Sequence, residues 1–164
     1  MSLFDRRTLL FAALSSPAML VACGFEPAYG PSGAATRLQD QVRVDDPVGR
    51  PAYLFTRHFE ERMGSGGRYG LSYGIELDEQ AIAVSSENVA TRFNLIGVVT
   101  YALRDLDSTA VLLTGRGSSF TSYSASGTTV ATQAAERDAE ERLMVILADQ
   151  VINRLIAEAD RLPT

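Results

Sequence analysis

The chain contains no lysine and no tryptophan, and among its 164 residues it has one cysteine, Cys23, and one histidine, His58. Each shortage removes a class of chemistry. Without lysine there is no Walker A loop, whose lysine must reach the phosphates, and no Schiff base to pyridoxal phosphate. Gly64-Ser65-Gly66-Gly67 is therefore read as a turn after a helix rather than a phosphate cradle. A single histidine excludes a multi-histidine metal site and the H-E-x-x-H pattern, and no metal site is expected. A serine hydrolase would depend on His58, yet no G-x-S-x-G elbow occurs, and His58 reads as a boundary residue of a helix. Glu60-Glu61 and Glu140-Glu141 are adjacent pairs, which diverge by about 100° on a helix and so read as solvated charges. No catalytic residue is assigned, and the chain is not expected to be an enzyme.

One cysteine also means no disulfide. Its setting is more informative than its number. Arg6 and Arg7 precede an apolar run from Thr8 to Ala22, which ends in Leu20-Val21-Ala22-Cys23. This is the pattern of a lipobox: a small residue beside the scissile bond, then a thiol that accepts lipid. The run is too short for a spanning helix, which needs about 20 apolar residues, and Ser15-Ser16-Pro17 interrupts it. Arg6-Arg7 also suits a twin-arginine signal, so the Sec and Tat routes both remain open. Residues 1–22 are read as a lipoprotein signal peptide, with diacylglycerol and an N-acyl chain on Cys23 and no other cofactor. Its removal takes the net charge from −5 to −6. An acidic balance argues against nucleic acid as a partner.

After Cys23 the pattern divides in two. Residues 23–40 open with Gly, Pro and Ala and little periodicity, as a flexible tether should. Residues 41–164 read as a single domain. Gln41-Val42-Arg43-Val44 alternates as a short strand. Pro51 suits the first turn of a helix carrying Phe55, Phe59 and Met63 on one stripe, with Gly64 as its stop. Leu71, Tyr73, Ile75 and Leu77 form the inward face of a strand, and Phe93 to Leu103 that of a longer one. Asp105-Leu106-Asp107-Ser108 turns this strand into a hairpin with residues 110–123. In that partner, Gly115 and Gly117 suggest a bulge or the close approach of another backbone. From Thr129 to Leu162 a helical stripe runs through Ala135, Ala139, Leu143, Ile146, Leu147, Val151 and Leu155. The expected fold is α+β: a two-layer sandwich, with a mixed four-stranded sheet and two helices packed on one face, in the order β-α-β-β-β-α. Two helices leave the other sheet face open, and it carries Arg92, Asn94, Thr100, Arg104 and Arg116.

Cys23-Gly24-Phe25-Glu26-Pro27-Ala28-Tyr29-Gly30, directly after the lipobox, resembles the opening of the LptE lipopolysaccharide-assembly lipoproteins, C-G-F-x-P-L-Y. Thr91 to Leu95, Tyr101 to Leu103 and Asp138 to Leu143 resemble alphaproteobacterial members. Ala28 departs from the pattern by replacing a leucine. The resemblance implies an outer-membrane lipoprotein on the periplasmic face that plugs and helps assemble an LptD-like β-barrel. Together they deliver lipopolysaccharide to the cell surface. Gly24 rather than aspartate after the cysteine fits outer-membrane sorting. Arg92, Arg104 and Arg116 are candidates for contact with lipopolysaccharide phosphates or the barrel wall, since the guanidinium fork matches phosphate oxygens. Two other readings stand beside this one: an accessory lipoprotein of an ABC-type envelope transporter, and a small lipoprotein hydrolase, which the residue inventory disfavours.

Overall fold

A computed structural model describes residues 27–31, 33–84 and 90–163. The signal peptide, the lipobox residues Leu20, Val21 and Ala22, and Cys23 lie outside the described residues. The elements are α1 (Ala34–Leu38), β1 (Val42–Val44), α2 (Arg50–Met63), β2 (Tyr69–Val84), β3 (Ala90–Asp105), β4 (Val111–Ser124) and α3 (Thr129–Glu158). A 3₁₀ turn over Ala159–Arg161 closes the chain. The sheet order is β1-β2-β3-β4, parallel between β1 and β2 and antiparallel elsewhere. The α+β fold with a mixed four-stranded sheet is as expected, with a third helix added at the front.

That helix, α1, revises the boundary at residue 41. Residues 34–38 form a turn and a half whose Ala35 and Leu38 are buried, so the compact fold starts within the stretch read as tether. Five residues are too few to show a 3.6-residue period, which is why the pattern hid them.

Alternation along the strands sorts the sheet faces as the sequence suggests. Leu71, Leu103 and Leu113 lie in one row, Tyr73, Tyr101 and Gly115 in the next, then Ile75, Val99 and Gly117. These face the helices. Phe55 and Phe59 are fully buried on α2, and Phe55 stacks on Tyr73 at 4.7 Å between ring centroids. Pro51 stands in the first turn of α2, and Gly64, at φ 73°, ends it.

On α3 the buried apolar set is Ala139, Leu143, Met144, Leu147, Ala148, Val151, Ile152 and Leu155. At about 100° per residue this spans more than half the helix circumference. Such an arc needs two partners, and α3 has them: the sheet on one side and α2 on the other. Ile146, placed on the stripe by the sequence, falls just off the arc and is 36% exposed, while Met144 and Ala148 belong to it.

The α2–α3 seam is polar at its rim. Arg50 bonds Glu140 at 2.6 Å, Arg57 bonds Glu141 at 2.8 Å, and Arg62 bonds Asp149 at 2.6 Å. The pairs rise together in sequence, so the two helices run in the same direction. Glu140 is thus a seam residue at 17% exposure, not the solvated charge read from sequence.

The glycines of β4 do neither thing expected of them. The register shift on this pairing lies between Leu103 and Arg104, away from both. A Cβ at Gly115 would meet the Tyr101 ring, and one at Gly117 would meet the Gln150 side chain. The approach is by side chains, not by a backbone.

Candidate outer-sheet binding face

Among the described residues, the elements packed on the sheet all lie on one side of it, which leaves the opposite face without a covering layer. Each residue on that face is fixed by the strand register. One row reads Arg43, Gly70, Arg104 and Val111 across the four strands. The next reads Ser72, Ala102 and Thr114, and the third Gly74, Thr100 and Arg116. Arg92 sits opposite Ser124, at the other end of β3.

These positions decide which of the three expected arginines lie near one another. Strands lie about 4.8 Å apart and rise about 3.3 Å per residue. Arg104 and Arg116 are therefore separated by one strand and four residues, roughly 14 Å between backbones. Arg92 is twelve residues along the same strand from Arg104, about 40 Å away, and does not join them. The structure instead brings in Arg43, two strands from Arg104 and about 10 Å distant. The alternation Val42-Arg43-Val44 already turned Arg43 away from the core. What the sequence hid was the parallel pairing that places β1 beside Gly70.

Arg43, Arg104 and Arg116 are exposed and, among the described residues, make no ion pair. Arg104 donates to Ser72 Oγ at 3.0 Å, a neutral partner that leaves its charge uncompensated. Between them stand Gly70, Ser72, Gly74, Thr100, Ala102 and Thr114, all small, so the guanidinium groups project above a low platform. Leu106 reaches over Gly70, where an added Cβ would lie 2.8 Å from its Cδ2. The face therefore offers separate cations around an apolar spot, an arrangement suited to an amphiphile with several anionic groups.

The turn behind Leu106 is rigid for a clear reason. Asp105 is buried, and its Oδ1 accepts from Asp107 N at 3.1 Å, Ser108 N at 2.8 Å and Ser108 Oγ at 2.9 Å. Arg68 Nε donates to its other oxygen at 3.0 Å. The Ser108 bonds first, and Arg68 after them, hold the Asp105 carboxyl below the usual carboxylate range.

His58, the one histidine, is half-buried and its Nε2 lies 3.0 Å from Asp149 Oδ1. Burial pushes the Asp149 carboxyl up, but the bonds from His58 and Arg62 outweigh it and the net shift is downward. Arg62 also donates to the Tyr29 hydroxyl at 2.9 Å, which ties the segment after the lipobox to the helix seam. This is a clamp between elements. Among the described residues no group of three or more His, Cys, Asp or Glu is placed to hold a metal. No helix among them is long and apolar enough to cross a membrane.

The fold has relatives of known structure. A Caulobacter crescentus protein assigned as a lipoprotein is 26% identical, with a TM-score of 0.65 over 81% of this chain and 100% of that one. Rare lipoprotein B from Shewanella oneidensis superposes with a TM-score of 0.53 at 12% identity, covering 73% of this chain and 94% of its own. Lipoprotein B from Nitrosomonas europaea gives 0.57 at 13% identity, over 74% and 85%. No curated protein matches the chain. The family model for LptE, lipopolysaccharide-assembly, matches residues 39–155, more than half of the sequence. The chain belongs to the LptE family of lipopolysaccharide-assembly lipoproteins.

Proposed function

We propose that the protein is an outer-membrane lipoprotein, held by acyl chains on Cys23, that plugs an LptD-like β-barrel and helps assemble it. In that position it takes part in delivering lipopolysaccharide to the cell surface. The observation that supports this reading is the sheet face that, among the described residues, is uncovered and carries Arg43, Arg104 and Arg116 without an ion pair, set among small residues. A sheet face without a layer over it needs either water or a partner. A barrel lumen supplies a polar wall, and lipopolysaccharide supplies anionic groups for the arginines.

The anchor fits the same role. One acyl chain gives marginal membrane binding, whereas several, at about 0.8 kcal/mol per buried CH₂, hold a domain stably. Pro27, where the described fold begins, is four residues from Cys23, so the fold starts within about 14 Å of extended chain from the lipid. The anchor therefore positions the domain close to the membrane surface. No chemical step is assigned to the protein. Its work is binding and placement.

Affinity purification of the tagged protein from detergent-solubilised outer membranes tests this. A large β-barrel recovered in about equal amount supports the plug reading. Recovery of inner-membrane transporter components alone would support the accessory-lipoprotein reading instead.

A further inference from the structure

The two edges of the sheet are protected unequally. Along β4, α3 reaches over the edge: Gln150 Nε2 donates to the Ser118 carbonyl at 3.2 Å, and Arg142 Nη2 to that of Ser122 at 3.4 Å. Along β2 nothing comparable is present among the described residues. β1 pairs with β2 only from Val42 against Tyr69 to Val44 against Leu71, and the chain then leaves for α2. Tyr69 N donates to Gln41 O at 2.9 Å, and Asp45 N to Leu71 O at 2.9 Å, so odd-numbered residues of β2 direct their backbone groups toward β1. Every second residue of a strand points the same way, which directs the N–H and C=O of Tyr73, Ile75, Leu77 and Glu79 to the same side. There, among the described residues, no backbone group meets them.

A groove of ≈ 400 Å³ lies at this open edge, lined by Asp45, Asp46 and Val48 from the β1–α2 connection, by Pro51 from the first turn of α2, and by Tyr73, Gly74, Ile75 and Leu77 from β2. An open edge of this length is a template for strand addition. Its charge states what would add. Asp45, Asp46, Glu76, Asp78 and Glu79 are exposed, and among the described residues none is in an ion pair. A second copy pairing edge to edge would set these carboxylates against their own kind, which opposes it.

We propose that the edge of β2 over residues 73–79 receives an extended, basic segment of another polypeptide as a fifth strand. Its backbone bonds the outward groups of Tyr73, Ile75, Leu77 and Glu79. Its arginines or lysines lie beside Glu76 and Asp78 on one face, and its apolar side chains lie beside Ile75 and Leu77 on the other. Glu76 and Asp78 share the outer sheet face with the arginines, in the rows beyond Arg116, but the strand edge does not depend on the barrel reading, because strand addition is measured with no barrel present.

The test uses the mature lipoprotein in non-ionic detergent and a fluorescein-labelled nonapeptide alternating arginine with valine. Saturable anisotropy binding is expected, with amide shifts centred on Tyr73, Ile75, Leu77 and Glu79. The same peptide with glutamate for arginine does not bind. Ile75→Pro with Leu77→Pro removes two outward donors while sparing the β3 ladder, and weakens binding at least tenfold. Glu76→Gln with Asp78→Asn weakens it at least threefold. No saturable binding, equal binding of the glutamate peptide, or wild-type amide shifts located elsewhere would overturn the proposal. The shifts need no variant, so a folding defect in the proline double variant leaves the test decisive.

Discussion

Replacing Gly97 by alanine probes the interface on which the whole architecture depends, the seating of α3 on the sheet. Gly97 is buried on the helix-facing side of β3, opposite Leu77 and Ser119. A Cβ there would lie 2.9 Å from Leu147 Cδ1, 3.0 Å from Leu143 Cδ2 and 3.2 Å from Leu143 Cγ. Carbon contacts settle near 3.5–4.0 Å, so both leucines must retreat by roughly half an ångström or more. Each is fully buried and has little room to do so. Over-packing of this kind costs about 1–3 kcal/mol, and alanine's advantage over glycine in a strand offsets about 0.5–1 kcal/mol of it. The net loss is about 1–2 kcal/mol. For a chain of this size, with about 2.1 cal/mol/K of unfolding entropy per residue, that lowers Tm by roughly 3–7 °C. Gly97→Val adds two more carbons and should cost about 3 kcal/mol or more. Leu147→Ala alone leaves a cavity and costs about 2–5 kcal/mol. Combined with Gly97→Ala it should cost less than the sum by about 1 kcal/mol, because the new methyl enters the vacated space. Urea unfolding followed by circular dichroism measures all four variants, provided the m-values agree. A Gly97→Ala protein as stable as wild type, or strictly additive effects in the double variant, would refute the close seating of α3.

Replacing Arg43, Arg104 and Arg116 together by glutamine should leave stability within about 1 kcal/mol, since all three are exposed. Lipopolysaccharide binding should weaken about tenfold or more and lose much of its salt dependence, whereas Arg92→Gln, at the far end of β3, should change neither; equal losses in the two proteins would refute the assignment. The lowered pKa of Asp105 means that its stabilising contribution is full above the unfolded value of about 3.9 and is lost as pH falls through the folded value. Urea midpoints between pH 5 and pH 2 should therefore fall more steeply for wild type than for Asp105→Asn, and parallel slopes would contradict the buried turn cap. Burial, together with the bond from its hydroxyl to Glu79 Oε2 at 2.9 Å, pushes the Tyr123 phenol up to about 12. Ultraviolet titration of Glu79→Gln should show one tyrosine moved part of the way back toward 10, burial keeping it above that value; an unchanged curve would dissociate the pair.

The strands that cross the core announce themselves. From Leu95 to Leu103 burial alternates without a break because, among the described residues, helices pack on one face alone; Ile96 and Val98 blur the polar pattern on the other face, yet the same alternation places Arg92 and Arg104 there. The helix α2 was legible through its Phe55, Phe59 and Met63 stripe and its terminal glycine. Where two partners compete for one helix, legibility fails: α3 buries more than half its girth, so no single stripe describes it and Ile146 falls just off the buried arc. The outer half of β2, from Asp78 to Val84, carries exposed acids and alanines and is held as a strand by pairing with β3, a long-range cause with no local pattern. The same limit explains Arg43. Its facing was readable from its two valine neighbours, but its nearness to Arg104 comes from a parallel pairing that no local spacing encodes.

Purification of the full-length, lipidated protein from outer membranes tests the central claim most directly. Copurification of a large β-barrel at close to one copy per lipoprotein, abolished or reduced when Cys23→Ala removes the anchor, is the predicted result. Lipoprotein that emerges without a barrel, or with inner-membrane transporter components alone, would contradict it.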